Sequence, residues 1–239
     1  MKLLRQRKNK EGVAMPDLIL PMGDGTPVYQ FPDTTIDNMR ALINRIKRNG
    51  EFPQRLAIVS ALRQEGVTYI SRALATTLAH DTTQKVCIVD VNWWWPSPTD
   101  MVAVDNPGLA GIISGEATLE EVIAPSGWSN LVMVPAGSIE RQLRPVMARS
   151  NALKELLDEL ASQYDHLILD IPAIQSTSDA IPLASLADAC CVVVQQGVTT
   201  MEDIGLALDE IAHIKMLGVI LNRVKLNTPE KILKYIPMK

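Results

Sequence analysis

Short apolar runs alternate with amphipathic segments along most of this chain, and this alternation limits the possible folds more than any other feature. Six runs are almost continuously apolar, as strands buried on both faces are; they cover residues 56–60, 86–90, 131–135, 166–170, 189–195 and 217–222. Apolar residues recur at helical spacing most clearly at 33–48, 68–80, 150–164 and 200–213. The pattern predicts an α/β fold with a doubly wound, mostly parallel sheet covered by helices on both faces.

Length and composition fit one large domain. A chain of 239 residues with 47% apolar residues can bury a substantial core, and no internal repeat divides it. We predict a single domain over residues 33–239. Residues 1–32 are rich in proline and show little periodicity, which predicts an extended or partly disordered N-terminal arm.

Charge and hydropathy narrow the expected partners and location. The formal net charge of -4 disfavours nucleic acid as a partner. No apolar run reaches the length of a membrane span, and no apolar signal core follows the basic residues 1–10. The sequence therefore predicts a cytoplasmic protein.

Residues 60–69 join the first of the six runs to a predicted helix, which is the position of a phosphate-binding loop. Backbone N–H groups at such a helix start point toward an anion. The segment lacks the lysine of the motif because Val67 follows Gly66, and Gly66 is its only glycine. From its pattern alone, the segment is an ordinary strand-to-helix turn.

Two of the apolar runs end in an aspartate, Asp90 and Asp170. In an open parallel sheet, ligands bind beyond the carboxyl ends of the strands. Two carboxylates beside a phosphate loop are suited to hold Mg²⁺. The alternative, favoured for any isolated strand-end aspartate, is that each caps a turn or the following helix.

Ordered motifs between about residues 35 and 235 match a known family. Its phosphate-loop motif, S-A-x-P-G-E-G-K-S-T, is matched at Ser60, Ala61, Glu65, Gly66 and Thr68. Its motifs D-A-D-L-R-R-P-S and D-Y-V-I-I-D-T-P-P are matched in part, at Asp90, Pro96, Ser97, Asp165, Asp170 and Pro172. Segments outside these motifs match more closely, at 107–109, 115–123, 134–137, 178–180 and 217–224. The chain resembles the bacterial tyrosine kinases of capsule and exopolysaccharide biosynthesis, a branch of the MinD/ParA-like P-loop NTPases, as a degenerate, pseudokinase-like member.

The resemblance implies a P-loop NTPase fold with a residual nucleotide site. Weakly bound ATP or ADP would contact six residues: Arg63, Glu65, Gly66, Thr68, Asn222 and Arg223. Mg²⁺ would be held by Thr68, Asp90 and Asp170. No cofactor is certain, and the favoured alternative is that these residues are structural remnants that cap turns and satisfy backbone donors.

Several departures from the family argue against normal catalysis, so no catalytic residue is expected. Val67 replaces the lysine that neutralises the β- and γ-phosphates. Asn92 replaces the acid assigned to base or water activation, and an amide accepts no proton at neutral pH. The family's kinases end in a tyrosine cluster, whereas residues 231–239 hold one tyrosine. The oligomer motif E-x-x-R-x-x-R is filled at two of three positions, by Asp37 and Arg40, which we predict at a subunit interface.

Three consecutive tryptophans, Trp93, Trp94 and Trp95, follow the strand that ends at Asp90. Trp93 is predicted to lie in the core. The resemblance places arginines at the next two positions. We predict that Trp94 and Trp95 contact a protein partner or fill the cleft that nucleotide occupies in relatives. The simpler alternative is that both indoles fill a local gap in the core.

Two functional hypotheses follow from the resemblance. The first is a catalytically impaired, cytoplasmic binding or regulatory component of an exopolysaccharide or capsule synthesis and export system. Its partner would be a membrane polysaccharide co-polymerase, a chain-length regulator or a related export protein, which would hold it at the inner face of the cell membrane. It could also assemble with itself or with kinase-like subunits. The alternative is an ATP-binding protein-tyrosine kinase or ATPase with a non-standard phosphate loop. A MinD-like positioning protein is disfavoured because the matched segments are kinase-like.

Overall fold

The computed structural model describes residues 18–21, 27–95 and 106–224, and these form an α/β fold around a mostly parallel sheet. The described residues form nine strands: β1 Leu18–Pro21, β2 Pro27–Phe31, β3 Arg55–Ser60, β4 Val86–Asp90, β5 Ala124–Pro125, β6 Leu131–Val134, β7 His166–Asp170, β8 Ala189–Gln195 and β9 Met216–Asn222. Seven of them form one sheet in the order β5-β6-β4-β7-β3-β8-β9. All neighbours in this sheet are parallel except β5 and β6. The predicted fold class is confirmed.

Eight α-helices connect and cover the strands. They are α1 Asp33–Arg48, α2 Val67–Asp81, α3 Gly108–Ser114, α4 Leu119–Val122, α5 Arg144–Ala148, α6 Asn151–Gln163, α7 Ala180–Ala184 and α8 Met201–Glu210. The predicted helix at 33–48 has the bounds of α1. The helix predicted at 200–213 ends earlier, at Glu210, although Ile211 and Ile214 remain buried. A turn after Glu210 places these two side chains in the core, and the apolar spacing in the sequence therefore extends beyond the end of the helix.

The sheet separates two apolar cores because alternate residues of each strand point to opposite faces. On one face, Leu56 and Ile58 pack with α1 and α2, which we call the α1-side core. On the other, Ala57 and Val59 pack with α6, α7 and α8, which we call the α6-side core. The central strands β3, β4 and β7 are therefore buried on both faces, as their continuous apolar sequences require.

Part of the predicted N-terminal arm is described, and it forms an antiparallel hairpin of β1 and β2. Leu20 and Phe31 are fully buried in the α1-side core. The Trp128 indole N–H donates to the Ile19 carbonyl at 3.1 Å, and Gly127 N–H donates to the Pro21 carbonyl at 3.2 Å. The rest of the predicted arm, at 1–17 and 22–26, lies outside the described residues.

Among the helices of the described residues, none has both the length and the apolar content that a membrane span needs.

Candidate nucleotide site

The carboxyl ends of the central strands bring the two predicted acids together. Asp90 ends β4 and Asp170 ends β7, and the two are direct partners in the register of these adjacent parallel strands. Both are about as buried as the core, each 2% exposed. Asp90 Oδ1 also accepts the Asn92 backbone N–H at 2.8 Å, so this carboxylate caps a turn as the alternative interpretation expected.

Two residues of the loop between β3 and α2 have left-handed backbone conformations. Gly66 precedes α2 with φ of 97°, and Gln64 has φ of 65°, in the left-handed region that favours glycine. Gln64 stands where the resemblance places a glycine. No described side chain caps α2, and the N–H groups of a first helical turn point along the helix axis, where an anion can bind.

Glu65 supports this loop from inside the protein. Its side chain is 1% exposed. One carboxylate oxygen accepts the Leu62 backbone N–H at 2.8 Å, and the other accepts the Gln195 N–H at 3.1 Å and the Thr199 hydroxyl. The predicted nucleotide-contacting group is thus used to fasten the loop to the end of β8. Sequence reasoning missed Gln195 and Thr199, although their place after a strand end was a usable signal.

Asn222, the last residue of β9, also supports the loop, and Arg223 follows it. Asn222 Nδ2 donates to the Glu65 carbonyl at 2.8 Å. A Cβ atom on Gly66 would lie 2.3 Å from the same nitrogen, and the φ of 97° also favours glycine at this position. Arg223 Nη1 donates to Gln195 Oε1 at 2.8 Å. Their predicted contact with nucleotide stays a prediction; in the structure both side chains bind protein atoms.

Val67 and Thr68 are the first two residues of α2. Val67 packs against the α1-side core, so the position assigned to the phosphate-binding lysine carries an apolar contact instead. Thr68 is half-buried beside the loop. Thr68, Asp90 and Asp170 supply the hydroxyl and carboxylate oxygens that Mg²⁺ prefers. They hold only two acids, and the described residues contain no group of three or more His, Cys, Asp or Glu placed for a metal.

The three consecutive tryptophans lie in different environments. Trp93 is buried, and its Nε1–H donates to the Ala136 carbonyl at 2.7 Å, as expected of a core residue. Trp94 is half-buried and meets Trp93 edge-to-face, with 6.3 Å between ring centroids. Trp95 is half-buried as well, and the Arg63 guanidinium carbon lies 3.9 Å from its ring centroid. Asn92 Oδ1 accepts the Trp95 backbone N–H at 3.1 Å and fixes the turn.

The contact between Arg63 and Trp95 crosses the edge of the sheet where nucleotide sites form. Arg63 follows β3 and Trp95 follows β4, while β7 lies between these two strands. The two loops therefore meet across the carboxyl end of β7, where Asp170 lies. Arg63 is the only cation between residues 60 and 68, and its guanidinium is stacked on an indole. The site thus fits Mg²⁺ by its oxygen donors but presents no lysine to a triphosphate.

The predicted interface residues Asp37 and Arg40 lie on α1, away from this edge. Arg40 donates to both carboxylate oxygens of Asp81, at 2.7 and 3.0 Å, and reaches Asp37 at 3.4 Å. The hydrogen bonds from Arg40 hold the pKa of Asp81 below its usual value. In the structure Arg40 therefore joins α1 to the end of α2. Its role between subunits stays a prediction. Pro96 and Ser97 lie outside the described residues.

A cleft of substantial volume lies elsewhere in the described residues. It has a volume of about 610 Å³ and lies between α3, α5 and residues 138–140, with Leu143 and Val146 at its rim. No residue of the phosphate loop lines it.

Comparisons with known proteins agree with this fold. The family described as AAA domain matches residues 60–223. Tyrosine-protein kinase ptk of Acinetobacter johnsonii is 28% identical over 83% of this chain and 27% of its own length. Succinoglycan biosynthesis transport protein ExoP of Rhizobium meliloti is 30% identical over 85% and 28%, respectively. The chain thus spans about a quarter of these two relatives. Tyrosine-protein kinase CpsD of Streptococcus agalactiae is 28% identical over 80% of this chain and 84% of its own.

Solved structures share the fold. The chimeric protein CapA2B2 superposes with a TM-score of 0.74 at 23% identity, covering 80% of this chain and 85% of its own. The septum site-determining protein MinD of Pyrococcus horikoshii, complexed with Mg-ADP, superposes with a TM-score of 0.59 at 22% identity, covering 77% of each chain.

Proposed function

The chain belongs to the AAA domain family, with bacterial tyrosine-protein kinases among its relatives, and on that premise we propose that it is a catalytically impaired binding component of a polysaccharide synthesis and export system. It uses the P-loop fold to present a surface to a protein partner rather than to transfer phosphate. The partner is a membrane polysaccharide co-polymerase or a related export protein, as the polysaccharide transport relative suggests.

The observation that carries the proposal is the position of Val67. Phosphoryl transfer depends almost entirely on positioning and on charge neutralisation around the phosphates. The first residue of α2 must therefore supply a cation for normal turnover, and here it supplies an isopropyl group packed into the α1-side core. The one cation in the loop, Arg63, is already stacked on Trp95.

With Asn92, the chain also lacks a general base, which is the second requirement for turnover. An amide cannot accept the proton of an attacking hydroxyl or water at neutral pH. Its oxygen instead accepts the Trp95 N–H and its backbone N–H donates to Asp90. The residue that would activate a nucleophile therefore shapes the loop that carries the tryptophans.

Residual nucleotide binding is compatible with this role. Bound nucleotide with Mg²⁺ supplies a transferable phosphoryl group in P-loop enzymes. In this chain Thr68, Asp90 and Asp170 would hold the ion, and the first-turn N–H groups of α2 would hold phosphate oxygens. Both contacts place a nucleotide without activating it.

Calorimetric titration with Mg-ADP tests the role of Val67 directly. We expect the wild-type protein to bind Mg-ADP only weakly, with a Kd of about 1 mM or higher, and an affinity gain of at least about tenfold in Val67→Lys, because the ammonium restores the missing charge. Val67→Leu is the matched control, since it keeps an apolar side chain at the same position. A Val67→Lys protein that binds no better than the Val67→Leu protein contradicts the proposal.

Two observations favour the alternative function, a kinase or ATPase with a non-standard loop. They are the left-handed backbone of Gln64 and Gly66 and the paired acids at the ends of β4 and β7. It predicts hydrolysis of ATP by the wild-type protein that disappears when Asp90 and Asp170 are both replaced by alanine. Contaminating ATPases would not respond to those replacements, so such a loss would establish the alternative.

A further inference from the structure

The cleft between α3, α5 and residues 138–140 lies beyond the carboxyl end of β6. Its volume of about 610 Å³ is within the range of about 300–1,000 Å³ that is usual for ligand sites. Ala110, Ile139 and Met147 are among the residues that line it. None of the residues assigned above to nucleotide, magnesium or a protein interface lines it, so the sites described so far leave this cleft unassigned.

Two walls of the cleft are joined through the backbone. Gly108 and Gly137 have left-handed φ values of 59° and 73°, and a Cβ atom on either would overlap backbone atoms of the other segment. This close approach lets Ala110 N–H donate to the Ala136 carbonyl at 3.1 Å. The fold itself therefore sets the distance between α3 and the loop that follows β6.

The charged side chains of the cleft are acidic. Of its described lining residues, only Glu116 and Glu140 are charged, and both are exposed. Glu116 comes two residues after Ser114, the end of α3, where the partial negative charge of a helix C-terminus disfavours an acid. Among the described residues, no salt bridge compensates the Glu116 carboxylate. Arg141 and Arg144 follow on the same segment as Glu140, but neither lines the cleft. A cationic group in the cleft would therefore be stabilised by both acids.

The rim of the cleft is apolar and open to solvent. Leu143 is 47% exposed and Val146 is 67% exposed. A ligand pocket buries about 70–90% of a small molecule's surface, and a molecule held inside this cleft would leave the rim in water. A protein segment that lies across the cleft would cover the rim and still place a side chain inside. The apolar rim therefore favours a protein segment as the occupant.

We propose that this cleft receives a segment of the protein partner, which inserts a large apolar side chain between α3 and α5 and places a lysine or arginine beside Glu116 and Glu140. An apolar anchor in a pocket, surrounded by contacts that exclude water, is the usual arrangement of an interface hot spot. The inference rests on the proposed function and adds the chemistry by which the chain selects its partner. The wall of the cleft is joined to the loop that carries Trp95, because Trp93 Nε1–H donates to the Ala136 carbonyl.

Binding of the purified co-polymerase, kept in detergent, to the full chain tests the cleft. Ser138 lines the cleft and is exposed, so Ser138→Trp should fill the cleft without changing the unfolding midpoint. It should weaken binding at least about tenfold, because the apolar anchor loses its pocket. Val146→Ser should weaken binding at least about threefold, because it removes apolar contact area at the rim. Val219→Ser is the matched control, since this valine is 49% exposed on β9, at the opposite edge of the sheet.

A second pair of variants tests the charge of the cleft. Glu116→Gln combined with Glu140→Gln should weaken binding at least about threefold at low salt and should reduce its salt dependence, because the basic group loses both acidic neighbours. Glu202→Gln combined with Glu210→Gln is the matched control. These exposed acids of α8 do not line the cleft, so the same change in net charge should leave binding unchanged.

The results separate this inference from the proposed function. Weaker binding in the cleft variants, with normal binding in both controls, establishes the cleft as the docking site. Normal binding in Ser138→Trp and in the Glu116 and Glu140 double variant, beside lost binding in Trp95→Ser, overturns the inference and leaves the proposed function in place. A wild-type protein that does not bind the co-polymerase overturns both. Self-association of the wild-type chain that Ser138→Trp abolishes would identify a second copy as the occupant, which also overturns the inference.

Discussion

One residue of the loop between β3 and α2 has a strained backbone conformation. Gln64 holds φ of 65° where a glycine would rest without strain, and a non-glycine residue in that region costs about 1–2 kcal/mol. The loop keeps its shape because Glu65 and Asn222 fasten it to the ends of β8 and β9. The loop therefore forms its turn with glutamine at position 64, where the resemblance places a glycine.

Gln64→Gly should stabilise the protein by about 0.5–1 kcal/mol. Glycine relieves the strained φ, and its extra freedom in the unfolded chain offsets part of the gain. Urea unfolding should show a higher midpoint with an unchanged slope. Gln64→Ala is the control, since alanine meets the same strain and should not gain. A glycine variant less stable than the alanine variant would count against the strain.

His166 should make stability depend on pH. The ring is 5% exposed, Nδ1–H donates to the Pro53 carbonyl at 2.9 Å, and burial lowers the pKa of the imidazole. The unfolded chain then takes up the proton more readily, with a pKa of about 6.5. The free energy of unfolding should fall as pH drops from about 6.5 toward the lower folded pKa. The difference in unfolding free energy between about pH 7.5 and about pH 5.5 should shrink in His166→Gln; an undiminished difference would assign the pH response to other groups.

Among the secondary-structure elements, the N-terminal hairpin of β1 and β2 is one that the sequence pattern did not predict. A two-stranded hairpin is marginal alone, and this one is held by the buried side chains of Leu20 and Phe31 and by the bonds from Gly127 and Trp128. The strands are short and contain prolines at Pro21 and Pro27. Local pattern therefore suggested an arm, because only tertiary packing reveals which face of so short a strand is buried.

Phe31→Ala should cost about 3 kcal/mol, since a large buried ring is removed from the α1-side core. The ring also meets Tyr69 of α2 edge-to-face at 5.4 Å. Ile19→Ala is the matched control on the same hairpin, because Ile19 is exposed and should lose little. Chemical unfolding measures both, and a loss in Phe31→Ala as small as that expected for Ile19→Ala would contradict the contribution of the ring to the core.

Across the whole molecule, the strands and the site were predictable to different degrees. The six apolar runs all became strands because burial on both faces leaves a continuous signature. Asp90 and Asp170 were placed together by the rule for strand ends. The hydrogen bonds of Glu65 and the stacking of Arg63 on Trp95 were not predictable, since they join residues far apart in sequence through side-chain geometry. The roles of Asn222 and Arg223 toward nucleotide remain predictions.

The proposed partner function depends most on Trp95. Its indole lies beside the phosphate loop and stacks on Arg63, a contact worth about 0.5–1 kcal/mol at an exposed site. Trp94, in contrast, packs against Trp93 and the α6-side core. We therefore expect Trp95→Ser to leave the unfolding midpoint nearly unchanged and to weaken binding of a purified co-polymerase at least about tenfold, as loss of an aromatic hot spot does. Trp94→Ser should lower the stability of the fold, because this indole packs against the core. Arg63→Ser removes only the cation, so it distinguishes contact of Trp95 with the partner from packing of Trp95 over the loop. A Trp95→Ser protein that is stable and binds the co-polymerase like the wild type would show that the indole only fills the cleft.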